Sequence, residues 1–269
     1  MFKNPGLSLK ELSQLWAIRV LDSCWTIIWQ SNATLQHIVK GLLMSMGSHP
    51  DGPELQRIYS ARFSGKTSYR TQIWKVLASY FGQWVPNDGA VLDLGSGYCE
   101  FINNVNVGTK YAMDLNSDIH KLALPGITVL QQDCSEAWPL PEGTLDAVFT
   151  SNFLEHLPDK GAVSTVLSNA YRCLKPGGRL IAMGPNIKYV PGAYWDFFDH
   201  YVELTESSLA EALSTQGFGI EKKIGRFLPY TMSQGRQYPT WILRMYLAMP
   251  AAWPLFGKQF LVIGQKAMN

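Results

Sequence analysis

The residues best placed to do chemistry begin at Val91, where the chain reads VLDLGSGYCEF. An apolar run leads through Asp93 into a turn carrying Gly95, Ser96 and Gly97. Glycine at such a turn permits both a sharp reversal and close approach of a ligand. Asp114 follows in YAMDLNSD, at the interval where an acidic side chain can accept hydrogen bonds from ribose hydroxyls. Asp133, in LQQDCSE, can receive the amino group of a purine. A lone aspartate at a strand end is often only a helix cap, but three at successive strand ends read as the polar lining of a pocket. Further on, SNFLEHLPD sets Glu155 beside His156, and DFFDHY supplies His200. These carboxylate and imidazole groups can move a proton or hold a metal ion.

Short apolar runs bounded by turn residues must position these groups. AVLDLG, KYAMDL, ITVLQQD, LDAVFTSN and GRLIAMGPN read as five buried strands, and GIEKKIGRF and QFLVIGQK as two later ones. Helical periodicity lies between and before them, over Thr67 to Val85, in AVSTVLSNAYRCLK from Ala162 to Lys175, and in SLAEALSTQGF. Alternating strands and helices predict a doubly wound α/β sheet covered on both faces, with ligands at the carboxyl ends of its strands. Apolar residues from Leu9 to about Met46 recur at helical spacing, so residues 1–60 are expected to form a helical N-terminal extension.

Composition narrows the function classes. Of 269 residues, 46% are hydrophobic and 16% charged, as in a folded globular chain. A net charge of +2 without a Lys/Arg block gives no footprint for nucleic acid. Cys24, Cys99, Cys134 and Cys173 form no C-x-x-C pair, which suits a reducing cytoplasm better than a disulfide framework or structural zinc. No apolar run has the roughly 20 residues needed to span a bilayer, and the start MFKNPGLSLKELSQ does not read as a secretory leader.

Taken in order, VLDLGSG, DLN (Asp114–Asn116), QDC (Gln132–Cys134), LDAVFTSNFLEHL and LKPGGRLIAMGPN resemble the class I S-adenosylmethionine-dependent methyltransferases, and RFLPYT with the preceding DHYVELTESSL is similar to bacterial members thought to modify glycans or polyprenyl-linked intermediates. The resemblance covers about Ala90 to Lys266. It implies a Rossmann-like, seven-stranded sheet whose last strand is antiparallel. It also implies S-adenosyl-L-methionine as cofactor: Gly95 and Gly97 against the methionine part, Asp114 on the ribose hydroxyls, Asp133 with Cys134 at the adenine, and Ser151 with Asn152 beside the sulfonium, with Asp93, Ser96 and Leu115 also in the cofactor site. Cys99 stands where many members carry a third glycine, which speaks against a dinucleotide pyrophosphate. YSARFSGKTSYR, Tyr59 to Arg70, is similar to a short motif in some of these proteins. Its Arg62 and Arg70 could fork onto the cofactor carboxylate.

Methyl transfer requires alignment of donor and acceptor, and an oxygen or nitrogen acceptor must also lose a proton. His156, with Glu155 beside it, is one candidate base; the other reading has it orient the cofactor loop. Methyltransferases of ubiquinone synthesis and of small-RNA ends hold a divalent metal with Glu-x-x-Glu-His and a later His. Here Asn152 replaces the first ligand, leaving Glu155, His156 and His200. The plainer reading, His200 lining the acceptor pocket, is preferred.

The resulting expectation is a methyltransferase domain over 61–269 with an acceptor-binding insertion at about 226–257, methylating an oxygen of a glycan, lipid-linked or lipophilic small-molecule acceptor. That insertion is basic and aromatic, so it could form a pocket wall or touch a membrane periphery, and the N-terminal helices could act as a lid or a homodimer contact. A SAM-binding scaffold without catalysis and a nucleotide-dependent oxidoreductase are the alternatives.

Overall fold

A computed structural model describes residues 67–230 and 237–268. The 1–60 extension, its dimer contact and Arg62 lie outside the described residues. Seven strands run β1 Ala90–Leu94, β2 Thr109–Asp114, β3 Ile127–Gln131, β4 Leu145–Ser151, β5 Leu174–Pro185, β6 Gly219–Ile224 and β7 Gln259–Gln265. They form one sheet in the order β3-β2-β1-β4-β5-β7-β6. Pairing is parallel from β3 through β5, and β7 is antiparallel to both β5 and β6, as expected.

The period-two alternation of strand side chains divides the core into two layers. Leu92, Val148, Leu180, Ala182, Phe260 and Val262 point to one face, which is covered by α4 (Lys160–Cys173) and α5 (Glu206–Thr215). Val91, Ala147, Phe149, Ile181, Leu261 and Ile263 point to the other. That second face is covered by α1 (Thr67–Phe81), whose Ile73, Val76, Leu77 and Phe81 form a helical stripe, and by Leu243 and Leu247 of α6 (Thr240–Ala248). Among the described residues the remaining α-helices are single turns or little more: α2 (Glu100–Asn104), α3 (Ile119–Leu122) and α7 (Trp253–Phe256).

Three boundaries differ from the sequence reading. α4 stops at Cys173 and β5 begins immediately at Leu174, because Leu174 pairs with Leu145 before an irregularity at Gly177 (φ +76°) restores register at Arg179. The helix starting at Thr67 ends at Phe81 and tightens into a 3-10 turn over Gly82–Trp84. Asp133 falls two residues beyond the end of β3.

α4 begins where the Asp159 carboxylate accepts the Ala162 N–H at 2.8 Å, and α5 begins with a Thr205/Ser208 capping box. The insertion between β6 and β7 packs inward through Phe227, Leu243, Leu247 and Trp253, with Tyr80 of α1 stacked on Phe227 at 5.7 Å.

Candidate active site

The sheet order reverses between β1, which pairs β2 on one side, and β4 on the other. Open α/β sheets place their ligand crevice outside the strand ends at such a point. After β1 the backbone enters the left-handed region at Gly95 (φ +65°), Gly97 (φ +49°) and Cys99 (φ +57°). Gly95 and Ser96 donate their N–H groups to the Met113 carbonyl at 3.0 and 3.1 Å, which holds the turn over the end of β2. A side chain at residue 95 would put its Cβ 2.2 Å from the Phe153 ring, so the turn and the β4 loop interlock only with glycine there.

Asp114 braces the turn. One carboxylate oxygen accepts the Gly97 N–H at 2.8 Å and the other accepts the Asn116 N–H at 2.9 Å. Each oxygen retains a second lone pair, so the group can still accept from a diol. Burial pushes its pKa up, against the hydrogen bonds from Asn116 and Gly97. Asp93 is more deeply enclosed: burial raises it to about 8, while the Ile102 N–H, donating at 3.3 Å, pulls the other way. Leu115 beside Asp114 is exposed, an apolar surface of the kind a base ring can lie on. The Asp133 carboxylate caps its own turn, accepting both the N–H and the hydroxyl of Ser135 at 2.8 and 2.7 Å. Cys134 is buried behind it. The Cys99 thiol is pushed up to about 12 by burial, so it packs the turn rather than acting as a nucleophile. Arg70 sits beside the turn, its Nε 2.6 Å from both oxygens of Glu100 and its guanidinium 5.4 Å from the Tyr98 ring centre.

The left-handed backbone, the strand-end carboxylates and the adjoining Leu115 fit the methionine, ribose and adenine parts of S-adenosylmethionine in donor and acceptor character.

A second group lies beyond β4. Asn152 has φ +50° and is held by its N–H to the Met183 carbonyl at 2.9 Å and by its amide nitrogen to the Ser151 hydroxyl at 3.1 Å. The 3-10 turn Leu154–His156 then buries Glu155 and sets His156 half-buried above it. The 186–204 loop closes onto this turn, since Tyr201 and Val202 donate their N–H groups to the Glu155 carbonyl at 2.9 and 3.2 Å. Fully buried Tyr194 donates its hydroxyl to the Val202 carbonyl and fixes the loop internally.

His156 and His200 therefore meet, as edge-to-face rings with centres 4.8 Å apart, and Phe197 stacks on His200 at 5.0 Å. Donor atoms of Glu155, His156 and His200 all lie within 4.8 Å of one another. His156 Nδ1 donates to the Asp199 carbonyl at 2.8 Å and lies 3.2 Å from its carboxylate. Burial disfavours the imidazolium, but Asp199 and Glu155 outweigh it and hold the His156 pKa above the ordinary histidine range. Glu155 is itself pushed up by burial, although neighbouring His156 opposes the shift.

The structure thus gathers Asp93, Gly95, Ser96, Gly97, Asp114 and Leu115 at one edge of the crevice and Glu155, His156 and His200 in one cluster. The sequence reading passed over Asp199, Tyr194 and Phe197. Asp199 was detectable as the acid adjoining His200, but its partner stands 43 residues away and only the loop closure joins them.

Residues 92–182 match the family described as "Methyltransferase domain". A protein of Mycolicibacterium smegmatis named "Probable S-adenosylmethionine-dependent methyltransferase" is 35% identical over 91 residues, 33% of this chain and 34% of the relative. The chain thus matches about a third of that relative's length. Among solved structures, a SAM-dependent methyltransferase from Archaeoglobus fulgidus gives a TM-score of 0.57 at 20% identity, covering 78% of this chain and 99% of that one. The [4+2]-cyclase SpnF gives 0.50 at 16% identity, covering 72% and 81%. The structural likenesses establish the fold, and the cyclase among them shows why the reaction must be argued from the site.

Proposed function

We propose that this chain, which carries a class I S-adenosylmethionine-dependent methyltransferase domain within residues 92–182, methylates an oxygen of a glycan, lipid-linked or lipophilic small-molecule acceptor. S-Adenosyl-L-methionine, when bound, supplies a methyl group on a sulfonium, open to in-line displacement. The protein's part is to bind, align and exclude water. Gly95, Ser96 and Gly97 would hold the methionine part, with Arg70 and Arg62 toward its carboxylate. Asp114 would hold the ribose hydroxyls, Leu115, Asp133 and Cys134 the adenine, and Ser151 with Asn152 the region of the sulfonium.

The observation that carries the acceptor chemistry is the pairing of His156 Nδ1 with Asp199. A ring that donates from Nδ1 presents Nε2 as its basic nitrogen, and the nearby carboxylate stabilises the imidazolium formed when the acceptor hydroxyl gives up its proton. Glu155 and Asp199 raise the basicity of that nitrogen. The 186–204 loop, tied to the Glu155 carbonyl, walls off the same corner with Tyr194, Phe197 and His200. In this reading Glu155, His156 and His200 serve proton transfer and packing. A divalent ion is not invoked, because Asn152 supplies a neutral amide in place of a further carboxylate.

The test uses labelled methyl transfer from S-adenosylmethionine into cell extract, partitioned between organic and aqueous phases. Label in either phase supports methyl transfer, and label in the organic phase assigns a lipid or lipid-linked acceptor. Tight binding of S-adenosylhomocysteine with no transfer to any fraction would favour a scaffold instead. His156→Gln is expected to lower kcat by about 10²–10⁴-fold, the usual worth of a general base, with cofactor affinity unchanged.

A further inference from the structure

The face of the β6–β7 insertion turned away from the core is apolar where a soluble surface is ordinarily polar. Between Tyr238 and Phe256 lie seven of the fourteen exposed large apolar side chains among the described residues. In α6, Leu243 and Leu247 are buried, yet the opposite side carries Trp241 and Met245, 58% and 50% exposed, and Met249, just after the helix, is 48% exposed. Leu255 and Phe256 of α7 extend the patch at 71% and 61% exposure. Scattered apolar residues need no explanation, but a contiguous set with an aromatic anchor marks an interaction surface.

Charge selects the occupant. From Lys222 to the end the chain contains no Asp or Glu and seven Lys or Arg residues. Of these, Arg244 and Lys258 are exposed within and just beyond the apolar stretch. A two-fold contact between copies of this face would meet itself and bring these cations together without an acid from the same segment to pair them. A surface that presents negative charge over hydrocarbon satisfies both features at once. Among the described residues no helix is long and apolar enough to cross a membrane, so the arrangement suits lying in an interface.

We propose that Trp241, Met245, Met249, Leu255 and Phe256, with Arg244 and Lys258, dock the protein on the surface of a bilayer containing anionic lipid. The docking face is joined to the catalytic corner: the Lys258 carbonyl accepts the Asn186 N–H at 3.0 Å, at the root of the 186–204 loop. Docking would therefore hold that loop close to the membrane. The proposal stands apart from the methyl-transfer reading, since vesicle binding requires neither cofactor nor turnover.

The experiment sediments the full-length protein with vesicles of phosphatidylcholine alone or of phosphatidylcholine mixed with phosphatidylglycerol. The expected result is binding to the anionic vesicles that weakens as salt rises, and little binding to neutral ones. The Trp241→Glu/Met245→Glu double variant should lose about tenfold or more in affinity, because it removes buried apolar area and adds charge repulsion. Arg244→Gln/Lys258→Gln should reduce the preference for anionic vesicles while keeping the apolar face. Unchanged melting and S-adenosylhomocysteine binding in the variants show that the fold is intact. Absence of vesicle binding, equal binding to neutral vesicles, or wild-type binding by the double variant overturns the proposal. So does sedimentation equilibrium showing a dimer that Trp241→Glu/Met245→Glu dissociates, with no vesicle binding by the wild type.

Discussion

Gly95 and Asp199 show how single positions govern the two halves of the site. At Gly95, alanine would require a left-handed backbone and place its Cβ 2.2 Å from the Phe153 ring. Strain of this backbone kind costs on the order of 1–3 kcal/mol before the clash is counted. Gly95→Ala should lower the melting temperature and abolish cofactor binding measured by calorimetry, and Phe153→Ala in the same chain should recover part of the stability but not the binding. At Asp199, removal of the carboxylate takes away one of the charges that hold the His156 pKa up. Activity by a neutral His156 grows as pH rises through that pKa, so Asp199→Asn should move the rising limb of kcat against pH to lower pH and reduce its plateau. A merely structural Asp199 would lower the plateau without moving the limb. Turnover should also survive chelation followed by desalting. Loss of activity that a divalent ion restores would instead make Glu155, His156 and His200 metal ligands.

The junction of β1 with α2 illustrates how an element sets a titration. Asp93 belongs to a strand buried on both faces, and its folded pKa of about 8 lies well above the ordinary carboxylate value. Below that ordinary value both folded and unfolded chains hold the proton, and the group contributes no difference. As pH rises further, the unfolded chain ionises first, so the raised folded pKa subtracts stability progressively until about pH 8. Thermal melts of the cofactor-free protein should therefore show this contribution fall between acidic pH and about 8, and Asp93→Asn should flatten it and raise the melting temperature at the alkaline end. Strands such as β1 and β4 were legible in the sequence because burial on both faces demands continuous apolar runs, and the glycine turn because few other residues tolerate its backbone. The β5 start was not: LKPGG looks like a helix stop, while pairing of Leu174 with Leu145 decides the matter through a partner distant in sequence. The same holds for the Tyr201 and Val202 bonds to the Glu155 carbonyl, which build the proposed catalytic corner from a segment without strong periodicity.

For the whole molecule, all seven strands and both helical layers described lie between Thr67 and Lys266, and β7 closes the sheet by pairing with both β5 and β6. The buried residues of the two faces come from α1, α4, α5 and α6 together with the strands. The proposed cofactor site at the ends of β1, β2 and β4 therefore has its scaffold within this stretch, whereas the proposed roles of residues 1–60, as a lid or a dimer contact, bear on acceptor access and assembly. The two roles separate experimentally. A chain beginning at Pro50, which retains Arg62 and the whole sheet, should unfold cooperatively and bind S-adenosylhomocysteine as the full chain does. If the removed segment is a lid, turnover with the acceptor should fall while the mass in sedimentation equilibrium stays the same; if it is a dimer contact, the mass should halve. Loss of cofactor binding on this truncation would show instead that the segment completes the cofactor site, and would move the domain boundary to the start of the chain.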